Sequence, residues 1–311
     1  MTTHNRPRLS IGLPVRNGDD FLEEALESIL AQTFEDFELI ISDNASTDAT
    51  EAICRAYAAR DDRIQYFRNK EDIGGAPNFN RVFELSSAEY FKWAAHDDVC
   101  HPDFLLKCIE VLDRDKSLVL CYSLANEIDE KGHFIRKSEP RTQVDSFKPN
   151  IRFKEALHVG PNYPIFGVIR ADILRRTPLI ATYAVSDLVL TAELSLYGRS
   201  HEIQEVLFFN REHKQRSTRA HDVRVYDVRA LHRFAVWFDP ANARKIIFPM
   251  WRLIAEYLSA INRPPLQWIE RIRCCIALAK VGWPERTYIM KGLLFDLIEA
   301  ASRILRLRLP S

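Results

Sequence analysis

The first half of the chain alternates short apolar runs with amphipathic segments. Apolar runs of strand length, such as 9–15 and 37–42, each end in polar residues. Between them, apolar side chains recur at helical spacing, as Leu22 and Leu26 do, and Asp19 or Asp20 can cap that helix. Repeated alternation of this kind predicts an α/β fold, with a mostly parallel sheet flanked by helices. The predicted strands are 9–15, 37–42, 63–67, 90–95 and 118–124.

Polar clusters follow three of these predicted strands. They are Arg16 with Asn17, the run 43–48, and the run 96–98. Ligands of open α/β sheets bind beyond the carboxyl ends of the strands. The sequence therefore predicts one shared cleft, lined by these three clusters.

The second half follows the alternation less closely. It predicts a loop or hairpin over 127–149, strands at 165–169 and 202–209, and a helix over 186–197. From about residue 220 the pattern is helical throughout. We therefore expect two regions, an α/β domain over 1–218 and a helical C-terminal region over 219–311.

The composition of the chain disfavours some classes of function. Among 311 residues, 43 Lys and Arg balance 43 Asp and Glu, so the formal net charge is zero. A nucleic-acid-binding protein would usually carry a basic surplus, and only the cluster 211–224 favours that class here. The six cysteines form no C-x-x-C pair, which disfavours a zinc ribbon and suits reduced thiols.

The apolar runs also bear on location. The first residues lack the apolar stretch of a signal peptide. No uninterrupted apolar run reaches the roughly 18 residues that a transmembrane helix needs. We expect a cytoplasmic protein, which meets a membrane, if at all, at the inner face.

Two adjacent carboxylates, Asp97 and Asp98, come just after the apolar strand 90–95. Adjacent acids repel each other unless a cation or a donor-rich ligand lies between them. A hard divalent metal that also binds a diphosphate would satisfy both. The alternative is that one caps the next helix and the other is solvated. Asp43, after another strand, would either accept hydrogen bonds from a base or ribose or close an Asx turn.

Several segments, taken in order, closely resemble the family 2 glycosyltransferases. They are 14–17 (PVRN), 21–32, 37–48 (FELIISDNASTD), 74–78 (GGAPN) and 93–98 (WAAHDD). The resemblance is dense over 8–125 and thinner to about 218. It implies the GT-A fold and an inverting transfer of a sugar from a nucleotide-sugar donor to a glycan or lipid-linked acceptor. Such enzymes often build cell-surface polysaccharides.

The resemblance also implies roles for individual residues. Asp97 and Asp98 match the D-x-D-like site that holds Mn²⁺ or Mg²⁺, and which of the two binds the metal is left open. Many members have an acid where this chain has Ala95, followed here by His96. The residues that would bind the nucleotide-sugar are Pro14, Arg16, Asn17, Asp43, Ser46, Asn78 and Asp97.

Two later segments supply further candidates. Asp187 matches the catalytic base and would begin the predicted helix 186–197, and Glu193 is a weaker alternative. An inverting transfer needs a base to take the proton of the acceptor hydroxyl. In the R-x-H segment, His213 would bind the metal or Arg211 would approach the diphosphate. The alternative for that segment is a basic surface loop.

Other functions, and more than one place for the last helix, are open. A sugar nucleotidyltransferase would carry a Gly-rich, basic loop after its first strand, and this chain does not. A non-catalytic nucleotide-sugar-binding protein with a degenerate metal site is the alternative that Ala95 favours. The last predicted helix, 286–308, would either lie on a membrane surface or pack on the body or a second subunit of a homo-oligomer.

Overall fold

The computed structural model describes residues 6–157, 163–216, 228–282, 284 and 286–308. Within that part of the chain, nine strands form a single sheet. The strands are β1 Leu9–Val15, β2 Phe37–Asp43, β3 Ile64–Arg68, β4 Tyr90–Trp93, β5 Val99–Cys100, β6 Leu118–Ile128, β7 Phe134–Lys137, β8 Val168–Arg170 and β9 Arg199–Arg211.

Helices cover the sheet and make up the C-terminal region. The helices are α1 Leu22–Leu30, α2 Thr50–Ala58, α3 Gly75–Glu84, α4 Phe104–Arg114, α5 Pro149–Ala156, α6 Ala171–Leu174, α7 Ser186–Tyr197, α8 Val228–Phe238, α9 Pro249–Asn262, α10 Trp268–Gly282 and α11 Arg286–Arg308. Two 3-10 turns, Tyr163–Phe166 and Pro240–Arg244, complete the described elements. The predicted α/β fold with a helical C-terminal extension is confirmed.

Strand direction brings the carboxyl ends of six strands to one edge of the sheet. The order is β3-β2-β1-β4-β8-β6-β9-β5, with β7 beside β6. β1 pairs in parallel with β2 and β4, and β2 pairs in parallel with β3. β8 runs antiparallel to both β4 and β6, so β6 and its parallel partner β9 point the same way as β1. The polar clusters after β1, β2, β4 and β9 therefore meet at that edge.

Two apolar layers sandwich the sheet. On one side, Ile11 and Leu13 of β1 share a buried cluster with Leu26 of α1 and Phe104 of α4. On the other side, Val82 of α3 belongs to a second cluster. Because successive side chains of a strand point to opposite faces, β1 contributes its odd-numbered residues to the first layer.

Gly12 of β1 points to the second layer, towards α3. A Cβ added there would lie 2.6 Å from Val82 Cγ2 and 2.8 Å from Cζ of Phe91. The absence of a side chain at this position lets α3 pack directly on the centre of the sheet.

Two local predictions are wrong in detail. The strand predicted at 165–169 is a 3-10 turn followed by the short β8, because the ring of Pro164 fixes a turn conformation and the Gly167 N–H donates back to the Pro164 carbonyl at 3.0 Å. Asp19 does not cap α1, which has no side-chain cap, and instead accepts the Ala49 N–H at the start of α2, at 3.2 Å. The loop or hairpin predicted over 127–149 begins as a hairpin, in which β7 pairs with the end of β6.

The C-terminal helices pack on the end of the sheet domain through a shared apolar cluster. Phe153 of α5, Ala192 of α7, Ile261 of α9 and Cys274 of α10 meet there. The boundary predicted between 218 and 219 falls outside the described residues, so the division into two regions stays a prediction. Within the described part of the chain, no helix is both long and apolar enough to cross a membrane.

Candidate functional site

The loops after β1 and β2 are tied together by polar contacts. The Asn17 N–H donates to Ser46 Oγ at 3.0 Å, and Asn17 Oδ1 accepts the Thr47 N–H at 2.9 Å. Asn17 adopts a positive φ of 49°, a conformation that asparagine tolerates better than most residues. Pro14 lies in β1 just before this junction. The structure thus joins Asn17 to Ser46, with Pro14 just before them in β1, and the contact of these residues with a nucleotide stays a prediction.

Asp43 is fully buried at the end of β2 and anchors the same loop. Its Oδ1 accepts the Ser46 N–H at 2.8 Å, and its Oδ2 accepts the Tyr66 hydroxyl at 2.7 Å. Arg68 Nε lies 3.8 Å from Oδ2. Both oxygens therefore hold protein donors, and the contact of Asp43 with a base or ribose stays a prediction.

Asn78 is also buried, in contacts that fasten α3 to β2. Its Oδ1 accepts from Ser42 Oγ at 2.7 Å and from Asn69 Nδ2 at 3.0 Å. Its Nδ2 donates to the Ser42 carbonyl at 2.9 Å. These contacts fasten Asn78 behind the loops, and its predicted place near the nucleotide stays a prediction.

Two polar residues that the sequence did not single out, Asn69 and Asp72, extend this support. Asn44 donates to Asp72 Oδ1 at 2.6 Å, and its own Oδ1 accepts from Asn69 at 2.9 Å. Asp72 in turn pairs with the half-exposed Arg16, at 2.6 Å. Asn69 comes directly after β3, at the same sheet edge, a signal that could have identified it.

The loop after β4 and the end of β9 meet at Asp97 and His213. His213 Nε2 lies 2.8 Å from Asp97 Oδ2. The imidazole packs against the ring of Phe21, with the ring centroids 4.9 Å apart. Burial would raise the pKa of Asp97, but the imidazoles of His96 and His213 more than offset it, so that pKa lies below its usual value. Asp97 is therefore an ionised carboxylate beside a histidine nitrogen.

Asp98 is directed away from this pair, towards β9. Its Oδ1 accepts from Asn210 Nδ2 and from the Arg211 N–H, both at 2.9 Å. Burial, reinforced by the charge of Asp97, raises the pKa of Asp98 to about 7. The two acids thus differ in environment: Asp97 is paired with an imidazole, and Asp98 joins the β4 loop to β9.

Arg211 is buried and joins the loop after β4 to α1 and to the β6–β7 turn. Its guanidinium donates to the Asp97 carbonyl at 3.0 Å and to Glu24 Oε2 at 2.6 Å. It also donates to the carbonyls of Asp129 and Glu130, at 3.2 and 3.3 Å. With its side chain 1% exposed, Arg211 has no open face for a diphosphate. Of the two candidates in the R-x-H segment, His213 places its side chain beside the Asp97 carboxylate, whereas Arg211 contacts the Asp97 carbonyl.

The three predicted metal ligands do not form a complete protein cage. In the described residues, no three His, Cys, Asp or Glu side chains are arranged to hold a metal ion. Asp97 and His213 nevertheless present an oxygen and a nitrogen 2.8 Å apart. Neighbouring ligands on one Mg²⁺ lie about 3 Å apart, since each bond is about 2.0–2.1 Å. The pair supplies a carboxylate oxygen and an imidazole nitrogen, two ligand types that suit divalent metals, and the metal itself stays a prediction.

Asp187 lies in the first turn of α7. Every other residue from Ser186 to Leu196 in this helix is buried, and Asp187 alone is partly exposed. The preceding Val185 has a positive φ of 60°, which is strained for a β-branched side chain. Such strain often marks functional sites. The helix therefore presents one carboxylate at its start, where the helix dipole favours the charged form.

Glu193, the weaker candidate for the base, is in a different setting. It is 1% exposed, and its Oε2 accepts from Arg263 Nη1, just after α9, at 2.7 Å. Burial raises the pKa of Glu193 to about 7, and Arg263 opposes part of that rise. The carboxylate thus joins α7 to the C-terminal helices and faces no open surface.

The chain is similar in sequence to known glycosyltransferases. The profile of "Glycosyl transferase family 2" matches residues 10–177. An uncharacterized glycosyltransferase of Rickettsia typhi is 34% identical over 153 residues, which are 49% of this chain and 47% of that protein. The putative glycosyltransferase EpsE of Bacillus subtilis is 33% identical over 111 residues, 35% of this chain and 40% of that protein. The matched part spans about half or less of these relatives.

Solved structures share the fold. Staphylococcus aureus TarS residues 1–349 in complex with UDP superpose with a TM-score of 0.56 at 15% identity, covering 98% of this chain and 93% of that one. A mannosyltransferase of Pyrobaculum calidifontis in complex with GDP-Man and Mn²⁺ gives a TM-score of 0.52 at 18% identity, covering 98% and 89%. At these identities the likeness is one of fold.

Proposed function

Since the chain belongs to glycosyl transferase family 2, we propose that it is an inverting glycosyltransferase. It transfers a sugar from a nucleotide-diphosphate sugar, with a UDP-sugar favoured, to a hydroxyl of a glycan or glycolipid. The acceptor class and a role in cell-surface polysaccharide biosynthesis come from the family resemblance. The proposal covers the chain as a whole, although the family profile ends at residue 177.

The observation that carries the proposal is the meeting of Asp97 and His213 at the carboxyl edge of the sheet. This edge also holds the junction of Asn17 with Ser46. A nucleotide bound along the β1 and β2 loops would extend its diphosphate towards the loop after β4. The arrangement supports a donor site that spans the β1, β2 and β4 loops.

Asp97 and His213 are the residues that would hold Mn²⁺ or Mg²⁺. The bound metal would offset the negative charge that develops on the departing nucleoside diphosphate. Asp98 supports the site from behind, because it fixes the β4 loop to β9 through Asn210 and the Arg211 N–H. The Pyrobaculum mannosyltransferase, whose complex contains GDP-Man and Mn²⁺, is consistent with this assignment.

Asp187 is the proposed base. Its carboxylate takes the proton of the acceptor hydroxyl while that oxygen forms a bond to the anomeric carbon. The bond between the anomeric carbon and the diphosphate oxygen breaks, and the diphosphate leaves with the electron pair. Attack from the face opposite to the leaving group inverts the anomeric centre. General-base assistance of this kind typically contributes about 10²–10⁴-fold in rate.

A solved structure of the same fold supports UDP as the nucleotide. TarS is known in complex with UDP and with UDP-GlcNAc.

A turnover assay tests the proposal. The full chain is incubated with UDP-glucose, UDP-GlcNAc or GDP-mannose and Mn²⁺, with a panel of glycan and lipid-linked acceptors, and the release of nucleoside diphosphate is measured. Acceptor-dependent release from one donor supports the proposal. Tight donor binding without release across the panel would instead support the alternative, a non-catalytic nucleotide-sugar-binding protein, for which Ala95 is the main argument.

A further inference from the structure

The C-terminal helices expose an apolar surface that the proposed reaction does not use. Each of α9 and α11 buries one face and leaves apolar side chains at helical spacing on another. We call these side chains the C-terminal face. They are Trp251 and Leu258 of α9 and Met290, Leu294, Leu297 and Ile298 of α11, and they are between 42% and 64% exposed.

The orientation of α11 is fixed by its inner side. Asp296 is fully buried, and its Oδ2 accepts the Met250 N–H at the start of α9, at 2.9 Å. Leu293 packs into the cluster between α9 and α11. Leu294 and Leu297 consequently remain on the outer side. The apolar side chains of this helix are thus divided between a packed side and an open one.

The exposed side chains of α9 and α11 are adjacent. Trp251 Nε1 donates to the Leu293 carbonyl at 3.2 Å, so the indole lies across the backbone of α11. Leu294 and Leu297 follow on the same helix. Exposed apolar surface that is continuous across elements usually marks an interaction site.

Charge favours one class of partner for this face. Residues 249–311 contain ten Lys and Arg but five Asp and Glu, although the whole chain is neutral. Among the charged residues over 249–308 whose exposure the structure describes, the exposed ones are all basic. They are Arg252, Arg263, Arg273, Lys280, Arg286 and Lys291.

We propose that the C-terminal face binds the surface of an anionic lipid membrane. Apolar and aromatic side chains flanked by Lys and Arg are typical of helices that lie in the membrane interface. Each cation near an anionic surface adds about 1 kcal/mol, about a fivefold gain in binding. A second copy of the chain fits less well, because a two-fold interface would bring two basic regions together. The proposal does not depend on the sugar-transfer reaction.

Vesicle flotation with the full chain tests this. Vesicles of phosphatidylcholine alone are compared with vesicles that also contain phosphatidylglycerol, at low and high salt. The wild-type chain should float with the anionic vesicles and be released by salt. Leu294→Ser combined with Leu297→Ser should weaken binding about 100-fold, since each buried leucine contributes a factor of about ten or more. Lys280→Gln combined with Lys291→Gln should weaken it about 25-fold.

A matched control uses exposed apolar residues elsewhere. Phe134 and Ile135 of β7 are 63% and 46% exposed, and replacing both by Ser should leave vesicle binding unchanged. The urea midpoint of each variant checks folding, and the lysine variants keep the test open if the leucine variant unfolds. Failure of the wild type to bind anionic vesicles would overturn the proposal. So would a wild-type dimer that the leucine variant converts to a monomer without any vesicle binding.

Discussion

The imidazole of His213 hydrogen-bonds to the carboxylate of Asp97, although 116 residues separate them in the chain. Two elements make this contact: the loop after β4 carries Asp97, and the segment after β9 carries His213. Because β4, β6 and β9 all run in the same direction, the ends of β4 and β9 meet at one edge of the sheet. The proposed donor site is therefore built from both halves of the sheet.

The first prediction concerns the base. Asp187→Asn keeps the size of the side chain but removes its capacity to take a proton. We expect kcat to fall about 10²–10⁴-fold, with the dissociation constant of the donor nucleotide nearly unchanged. Glu193→Gln is the comparison, because Glu193 is buried against Arg263. A variant of Asp187 with near-normal kcat, or a larger loss in the Glu193 variant, would assign the base elsewhere.

The second prediction distinguishes a structural role of Arg211 from a role in binding phosphate. Arg211→Met removes hydrogen bonds to the Asp97 carbonyl, to Glu24 and to the β6–β7 turn. Because the Arg211 guanidinium is buried among these acceptors, the free energy of unfolding should fall by about 3 kcal/mol, as measured in urea. Arg114→Met, at a side chain 76% exposed, should change it by less than about 0.5 kcal/mol. Unchanged stability together with lost nucleotide binding would contradict the structural role of Arg211.

The third prediction concerns Gly18. A Cβ at this position would lie 2.5 Å from Cδ2 of His96 and 2.8 Å from Cγ2 of Val15. Gly18→Ala should therefore displace the loop that carries Asp97, weaken donor binding about tenfold or more, and cost about 1–3 kcal/mol of stability. Among the described residues, a Cβ at Gly282 would meet Ile289 Cδ1, at 3.3 Å, so Gly282→Ala should leave donor binding unchanged. Calorimetry with the donor nucleotide compares the two variants.

The fourth prediction concerns pH. Burial raises the pKa of Glu193 from 4.5 to about 7, so between these values the folded protein keeps a proton that the unfolded chain has lost. Stability therefore falls as pH rises from about 4.5 to 7 and levels off above. The contribution of Glu193 is on the order of 2–3 kcal/mol. Urea midpoints at pH 5 and pH 8 should differ less in Glu193→Gln than in the wild type, and an equal difference would contradict the buried-carboxyl argument.

The sequence predicted the fold well where local pattern decides structure. Helix Ser186–Tyr197 and helix Arg286–Arg308 have the predicted bounds. The apolar runs of β1 and β2 become strands that are buried along their whole length. These elements follow from periodicity and from turn residues at their ends, which a sequence displays directly.

Side-chain direction could not be predicted in the same way. Asp97 and Asp98 are adjacent and chemically equal, yet one bonds to His213 and the other to Asn210. Arg211 was a candidate ligand for phosphate because its type suits that role, but it is buried. These outcomes depend on which distant strand lies beside each loop, and residue type alone does not contain that information.

The contacts between the loops after β1 and β2 could not be predicted from the sequence either. Asp19 caps α2 rather than the helix that follows it, and the Asp48 carboxylate accepts the Asp19 N–H at 3.3 Å. The two loops lie side by side because β1 and β2 pair in parallel register. A capping residue can be recognised from the sequence, but which helix it caps depends on how these two strands pair.

Calorimetric titration of the full chain with UDP, GDP and dTDP, each with and without Mn²⁺, tests the donor site most directly. We predict that one nucleotide, UDP in the first place, binds at least about tenfold more tightly with Mn²⁺. Asp97→Asn and His213→Ala should each abolish that difference, whereas His133→Ala, at a side chain 74% exposed on the β6–β7 turn, should preserve it. Binding of no nucleotide in either condition, or metal dependence that survives in both site variants, would contradict the assignment of Asp97 and His213.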